Sequence, residues 1–368
     1  MQLIIAITIT FLIFLLQRKM FENNWSKKLS INVSFKENCI QKGQTGHLVQ
    51  VINNAKKMPL PVFNVKFATS RHLKFDGKDH SSVTDYYYRN EAFSVGGRRK
   101  ITRRLSFTAR KRGYFKIEDI DVIARDYFLT RFFVKKYQNK TDIYVFPDKL
   151  NLNSLDITYN KILGDIEIKN NLLEDPYTFR GIREYSVNDN MKKINWKASA
   201  KTGNLMVNLY GNTAEQKLKI LVNIDILQLE KAEELQEFSM DLASTAALKF
   251  LMRNIPVSIC VNGEDCVTRN TGRVDSGSSI SHLSTIDRYL ARIDEKKPFD
   301  FCKLLTEELD GAGTDTTFLV ISASMNKEIV DLLDGINTGS VTMIVPGLTS
   351  HTYNLEKDYM NLIMMDTE

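Results

Sequence analysis

The side chains able to do acid–base or nucleophilic chemistry are few and scattered. Five histidines, His47, His72, His80, His282 and His351, share no spacing with one another or with a carboxylate. The HExxH pattern, which sets two zinc-binding histidines on one helical face, is missing, as are GxSxG and the phosphate-cradling P-loop. The four cysteines, Cys39, Cys260, Cys266 and Cys302, form no CxxC and have no histidine at zinc spacing. Cys260 and Cys302 sit in apolar runs, where a thiolate is disfavoured. A hairpin would set Cys260 opposite Cys266, but buried free thiols are the expectation. Glu233 and Glu234 are adjacent on a predicted helix and so do not face one another. Asp275-Ser276-Gly277-Ser278-Ser279 has the look of a metal loop, yet it lies in a glycine/serine stretch outside any strand end. No nucleophile–base pair can be assembled, so the expectation is a non-enzyme with no catalytic residue and no cofactor.

The elements around these residues say more. A chain of 368 residues, 43% hydrophobic and 26% charged, suits about two globular domains. The net charge of +6 is a modest excess that favours anionic partners without specifying a fold. Residues Leu3 to Leu16 are apolar apart from threonines, and Arg18 and Lys19 follow at once. With no basic residue before this run and no small-residue cleavage site after it, residues 1–19 read as an uncleaved transmembrane anchor, not a signal peptide. The positive-inside rule then places the soluble domains in the cytoplasm.

From residue 28 to 150 the pattern alternates with period two, as in Ile31-Asn32-Val33-Ser34-Phe35 and His47 to Ile52. Short strands between turn residues predict a β-sandwich. Within it the stretch Arg98 to Arg112 holds eight basic residues and no acid. It reads as a solvated edge or as a contact for anionic lipid. From residue 211 to 368 the pattern changes to apolar runs alternating with helical spacing. Leu218 to Ile224, Val257 to Val261, Thr317 to Ile321 and Val341 to Val345 are predicted strands, and Asn262-Gly263 a hairpin turn. Helices are predicted over Glu230 to Arg253, Ser281 to Ile293, Phe299 to Leu309 and Lys327 to Ile336. This alternation predicts a parallel sheet with helices on both faces.

Residues 151–210 read as a linker that carries the most distinctive segment. It runs Phe179-Arg180-Gly181-Ile182-Arg183-Glu184-Tyr185, then Asn188-Asp189-Asn190-Met191-Lys192-Lys193-Ile194-Asn195-Trp196-Lys197-Ala198-Ser199-Ala200-Lys201-Thr202. Asn188 to Asn190 predict a turn. Trp196 is placed to plug the junction between domains, with Glu184 and Asp189 as partners for the basic residues.

This segment resembles the signature of the domain-of-unknown-function 58 family, approximately F-x-G-x-R-E-Y followed by G-D-D-x-R-x-I-x-W-K-A-S-A-R-T. It departs at Asn188, Asn190, Lys192, Lys193 and Lys201, and lysine lacks the bidentate fork of arginine. Lys111-Arg112-Gly113-Tyr114-Phe115, Asp126-Tyr127-Phe128-Leu129 and Val145-Phe146-Pro147 look like further family patterns. The resemblance implies an α/β von Willebrand A-like (Rossmann-like parallel sheet) C-terminal domain, an N-terminal β-sandwich and a transmembrane helix. It implies a non-catalytic scaffold that meets a MoxR-type AAA+ ATPase and other von Willebrand A-containing proteins. Arg183, Glu184, Tyr185, Asp189, Trp196 and Lys197 are then the candidate partner-binding residues. A von Willebrand A domain often holds a divalent ion through Asp-x-Ser-x-Ser. Here Asp225-Ile226-Leu227-Gln228-Leu229 has lost both hydroxyls and Ser322-Ala323-Ser324 lacks an aspartate, so the site is degenerate and no metal is expected. The alternative reading is binding of nucleic acid or anionic lipid through the basic segments 98–112 and 192–201, although aromatic stacking platforms are sparse there.

Overall fold

The computed structural model describes the chain apart from residues 1, 77–80, 84–85, 152, 173, 188, 213–215, 227–230, 314, 337–340, 349–356 and 366–368. It divides into two compact units, Met1–Asp148 and Lys149–Glu368.

The first unit opens with helix α1 (Gln2–Asn24), 23 residues that are apolar over most of their length. It is long and apolar enough to cross a membrane or to act as a signal sequence. Ten strands follow: β1 (Leu29–Phe35), β2 (Cys39–Gln41), β3 (Thr45–Asn54), β4 (Leu60–Ser70), β5 (Leu73–Phe75), β6 (Ser81–Val83), β7 (Tyr86–Val95), β8 (Arg99–Ala109), β9 (Gly113–Arg125) and β10 (Phe132–Phe146). They form one sheet ordered β1-β3-β8-β5 and a second ordered β2-β10-β9-β4-β7-β6. Period-two alternation gives each strand one apolar face, and both faces are buried in a single core that includes Val33, Leu48, Phe63, Phe107, Ile120 and Ile143. The last turn of α1 belongs to this core. Phe21 and Trp25 are buried, and Phe21 meets Tyr127 edge-on at 5.5 Å. Lys56 Nζ donates to the Trp25 carbonyl, and burial lowers the Lys56 pKa to about 8.

The second unit begins with α2 (Asn153–Leu172), within the stretch read as a linker. Leu155, Ile162 and Ile166 join the core beneath the sheet, and the Tyr159 ring lies 4.9 Å from that of Phe250. A two-stranded ribbon follows, β11 (Glu174–Glu184) with β12 (Met206–Asn212), bracketing a 3-10 turn (Met191–Lys193) and helix α3 (Trp196–Thr202). The remaining elements are β13 (Lys217–Val222), α4 (Ala232–Leu251), β14 (Val257–Asp265), β15 (Thr271–Gly277), α5 (His282–Arg292), β16 (Ile293–Pro298), α6 (Phe301–Asp310), β17 (Thr316–Ile321), α7 (Lys327–Asp334), β18 (Val341–Leu348) and β19 (Met360–Met365).

These strands correct the fold class expected from the sequence. The sheet is mixed: β14, β13, β17, β18 and β19 run parallel, whereas β15 and β16 both pair antiparallel with β14. Strands dominate the chain, and among the described residues no wholly parallel, Rossmann-like sheet of the von Willebrand A kind is formed. The physical reason is that an apolar run reports only that a strand is buried. The direction of its neighbour is set by long-range pairing, which a short run does not encode. Two local readings change with it. Asn262 and Gly263 lie inside β14, and its turn comes later, where Arg269 N donates to the Asp265 carbonyl at 2.8 Å. Strand β18 also continues through Pro346.

Candidate interaction site

The signature segment folds as a small unit built on the β11–β12 ribbon. Arg183 and Asp189 form a two-pronged pair, with Nη1 donating to Oδ2 at 2.7 Å and Nη2 to Oδ1 at 2.5 Å. The Ser186 N–H donates to Asp189 Oδ2 at 2.7 Å, and Arg183 Nη1 also reaches the Glu184 carbonyl. The Arg183 guanidinium, followed by the Ser186 amide, holds the Asp189 carboxyl below its ordinary value. The same contact raises Arg183. Glu184 accepts from Asn204 Nδ2 at 3.3 Å, and the Tyr185 N–H donates to the Leu205 carbonyl at 2.8 Å. Arg183, Glu184, Tyr185 and Asp189 therefore sit in one pinned turn. Asn188 lies outside the described residues.

The second half of the signature is held by Asn195. Its Oδ1 accepts from the Ala198 N–H at 2.9 Å, capping α3, and its Nδ2 donates to Asn208 on β12 at 2.7 Å. Ser199 Oγ accepts from the Met206 N–H at 2.8 Å and donates to the Asn195 carbonyl at 2.9 Å. Gly203 ends the helix at φ 77°, a left-handed turn that glycine adopts without penalty. Buried Ile194 bridges to Val207 on β12.

This scaffold turns Trp196 outward. Trp196 is 67% exposed, and Lys197 beside it is exposed as well. Trp196 starts α3, and the cap orients it away from the ribbon that Ile194 covers. Phe179, Ile182, Val187, Met191 and Leu205 are further exposed apolar side chains of the same module. Sequence reasoning assigned no role to Asn195, Ser199 or Asn208. An Asn directly before a run of good helix formers was the available signal for the first.

The other candidate chemistry is held internally. Asp225 is exposed, and its N–H donates to Asn223 Oδ1 at 2.9 Å. Asn223 donates to Ser322 Oγ at 2.9 Å, and Asn262 donates to Asn223 Oδ1 at 3.1 Å, so amides and a hydroxyl satisfy one another where the strands end. Leu227 to Leu229 lie outside the described residues. Among the described residues no group of three metal-ligating side chains converges. Cys260 is buried, and burial pushes its thiol up to about 12, which keeps it protonated. Part of the basic 98–112 stretch is used inside the sandwich: Arg103 pairs with buried Glu91 at 2.9 Å, and Arg112 is itself buried.

No family model matches the chain, and no curated protein does. Solved structures similar to part of it include a CARDB domain of a Pyrococcus furiosus protein, with 14% identity, 32% of this chain, 94% of that one and a TM-score of 0.21. A non-cellulosomal cohesin from Archaeoglobus fulgidus is 10% identical over 32% of this chain and 91% of its own, with a TM-score of 0.22. The PapD-like domain 7 of human CEP192 is 15% identical over 33% and 87%, with a TM-score of 0.20.

Proposed function

We propose that this chain is a membrane-anchored, non-catalytic interaction protein of the domain-of-unknown-function 58 kind. It presents the signature module to a MoxR-type AAA+ ATPase and its client. The observation that carries this reading is the exposed Trp196, which together with exposed Val187, Met191 and Leu205 belongs to a module whose turn and helix are each held by side-chain hydrogen bonds. Large exposed apolar side chains on a preorganised frame are what binding hot spots use. The paired Arg183 and Asp189 shape the turn, and Trp196, Lys197 and Glu184 offer contact. Helix α1 is the anchor, and Arg18 and Lys19 after its apolar run favour a cytoplasmic position for the two folded units.

The test is cross-linking of the tagged protein in native membranes, followed by purification with ATP and identification of the captured molecules. An AAA+ ATPase recovered with the unaltered chain and lost with Trp196→Ala, at an unchanged melting temperature, is the expected result. Loss of the fold in Trp196→Ala, or recovery of nucleic acid in place of a protein partner, would overturn the reading.

A further inference from the structure

The β9–β10 hairpin carries an apolar tip that the proposed function does not use. Residues 126–131 form its turn, and Phe128, Leu129, Phe132 and Val134 are 56%, 53%, 72% and 60% exposed. This is not a frayed loop. Asp126 clamps it, accepting from the Thr130 N–H at 2.7 Å and the Thr130 hydroxyl at 2.6 Å, while Tyr127 Oη donates to the Pro59 carbonyl at 3.1 Å. Leu129 is held at φ 57°, where a residue with a Cβ is strained. A rigid turn thus holds large apolar side chains outward at a conformational cost, which points to a partner medium other than water.

The structure also indicates which medium. Phe14 of α1 and Phe128 of the tip lie 5.5 Å apart, ring centre to ring centre. Below them Phe21 packs on Phe133 at 5.6 Å and Trp25 on Phe133 at 6.3 Å. Phe14 and Phe21, seven residues apart, fall on one helical face, and Trp25 follows directly after the helix, so α1 is docked along the hairpin. Phe14 lies within the apolar run, one helical turn, or about 6 Å, before Arg18. Any bilayer that holds α1 therefore reaches the depth of Phe128 as well. Arg18 and Lys19 on the helix and Arg131 in the turn flank the apolar side chains, as headgroup-level cations flank an inserted apolar surface.

We infer that the Phe128–Val134 hairpin tip inserts into the phospholipid bilayer beside α1, giving the β-sandwich a second, monotopic membrane contact that fixes its tilt and height. This rests on the reading of α1 as membrane-embedded, and the experiment separates the two. The full chain is reconstituted in phosphatidylcholine/phosphatidylglycerol vesicles with the photoreactive residue p-benzoyl-phenylalanine replacing Phe128, or Phe11 of α1, or the exposed Tyr88 of β7, one at a time. Lipid adducts are read by mass spectrometry after illumination. Adducts at 128 approaching the yield at 11, with none at 88, are expected. Adducts at 11 but not at 128 would overturn the insertion and leave the anchor standing. No adducts at either would overturn the anchor and with it the insertion. Equal yields at 128 and 88 would show unspecific contact and also reject insertion.

Discussion

At the scale of single residues, the acid–base behaviour of Asp189 reports whether the signature turn is formed. Its carboxyl is held below the ordinary value by Arg183 and the Ser186 N–H. A carboxyl lowered in the folded state contributes stability above its unfolded pKa and loses it as pH falls through the folded value. The Ser186 amide resonance should therefore stay fixed as pH falls through the ordinary carboxylate range and move only below it, as the carboxylate is protonated. Asp189→Asn should remove this acid transition and lower the melting temperature only slightly, since Arg183 is half-exposed and such a pair is worth little. Gly263 makes the opposite point. A Cβ there would meet Ile293 Cγ2 at 2.5 Å and Ile224 Cδ1 at 2.7 Å, both buried. Gly263→Ala should cost about 1–3 kcal/mol by overpacking, seen as a lower urea midpoint. In the sequence this glycine reads as a turn residue, because a close-packing glycine and a turn glycine look the same along the chain.

At the scale of elements, α3 depends on a single side chain for its start. With only seven residues it has little intrinsic stability, and Asn195 supplies both the cap and the tie to β12. Asn195→Ala should destabilise this turn by about 0.5–2 kcal/mol. The check is hydrogen exchange, which should quicken over 196–202 while β13 and β17 stay protected. Exposure of Trp196 was not legible from its type, since tryptophan in a mixed run usually packs inward; the cap geometry decides it. Helix α2 was hidden for a related reason. Its buried positions Leu155, Ile162 and Ile166 are interleaved with apolar residues off that face, such as exposed Ile157, so no single stripe stands out until the sheet they cover is in place.

At the scale of the whole molecule, a buried ion pair near the start of the second unit ties its first residue to two helices. Lys149 Nζ lies 2.9 Å from Asp287 on α5 and also donates to Ser244 on α4, which donates to Asp287 in turn. Burial raises the Asp287 carboxyl against the pull of Lys149 and Ser244. Lys149→Met would leave that carboxylate buried without its cation, at a cost of about 3–5 kcal/mol at neutral pH. The altered Asp287 would be raised further, so the loss should shrink on acidification as the carboxyl takes up its proton, and return as pH rises through the folded value. Hydrogen exchange followed by mass spectrometry should show weaker protection in β13 and α4, with strands β3 and β9 of the first unit unaffected.

What the sequence determined by itself is local. The apolar N-terminal run and the period-two strands from Leu29 onward each follow from residues within a turn or two of one another. How distant segments pair is fixed only in the folded chain. The antiparallel edges β15 and β16 and the docking of Phe14 on Phe128 join groups whose meeting no spacing rule specifies. Local patterns are set by backbone geometry, which repeats every two or 3.6 residues. Long-range pairing is set by the cooperative packing of whole faces, where many weak contacts decide together and none is written in one place along the chain.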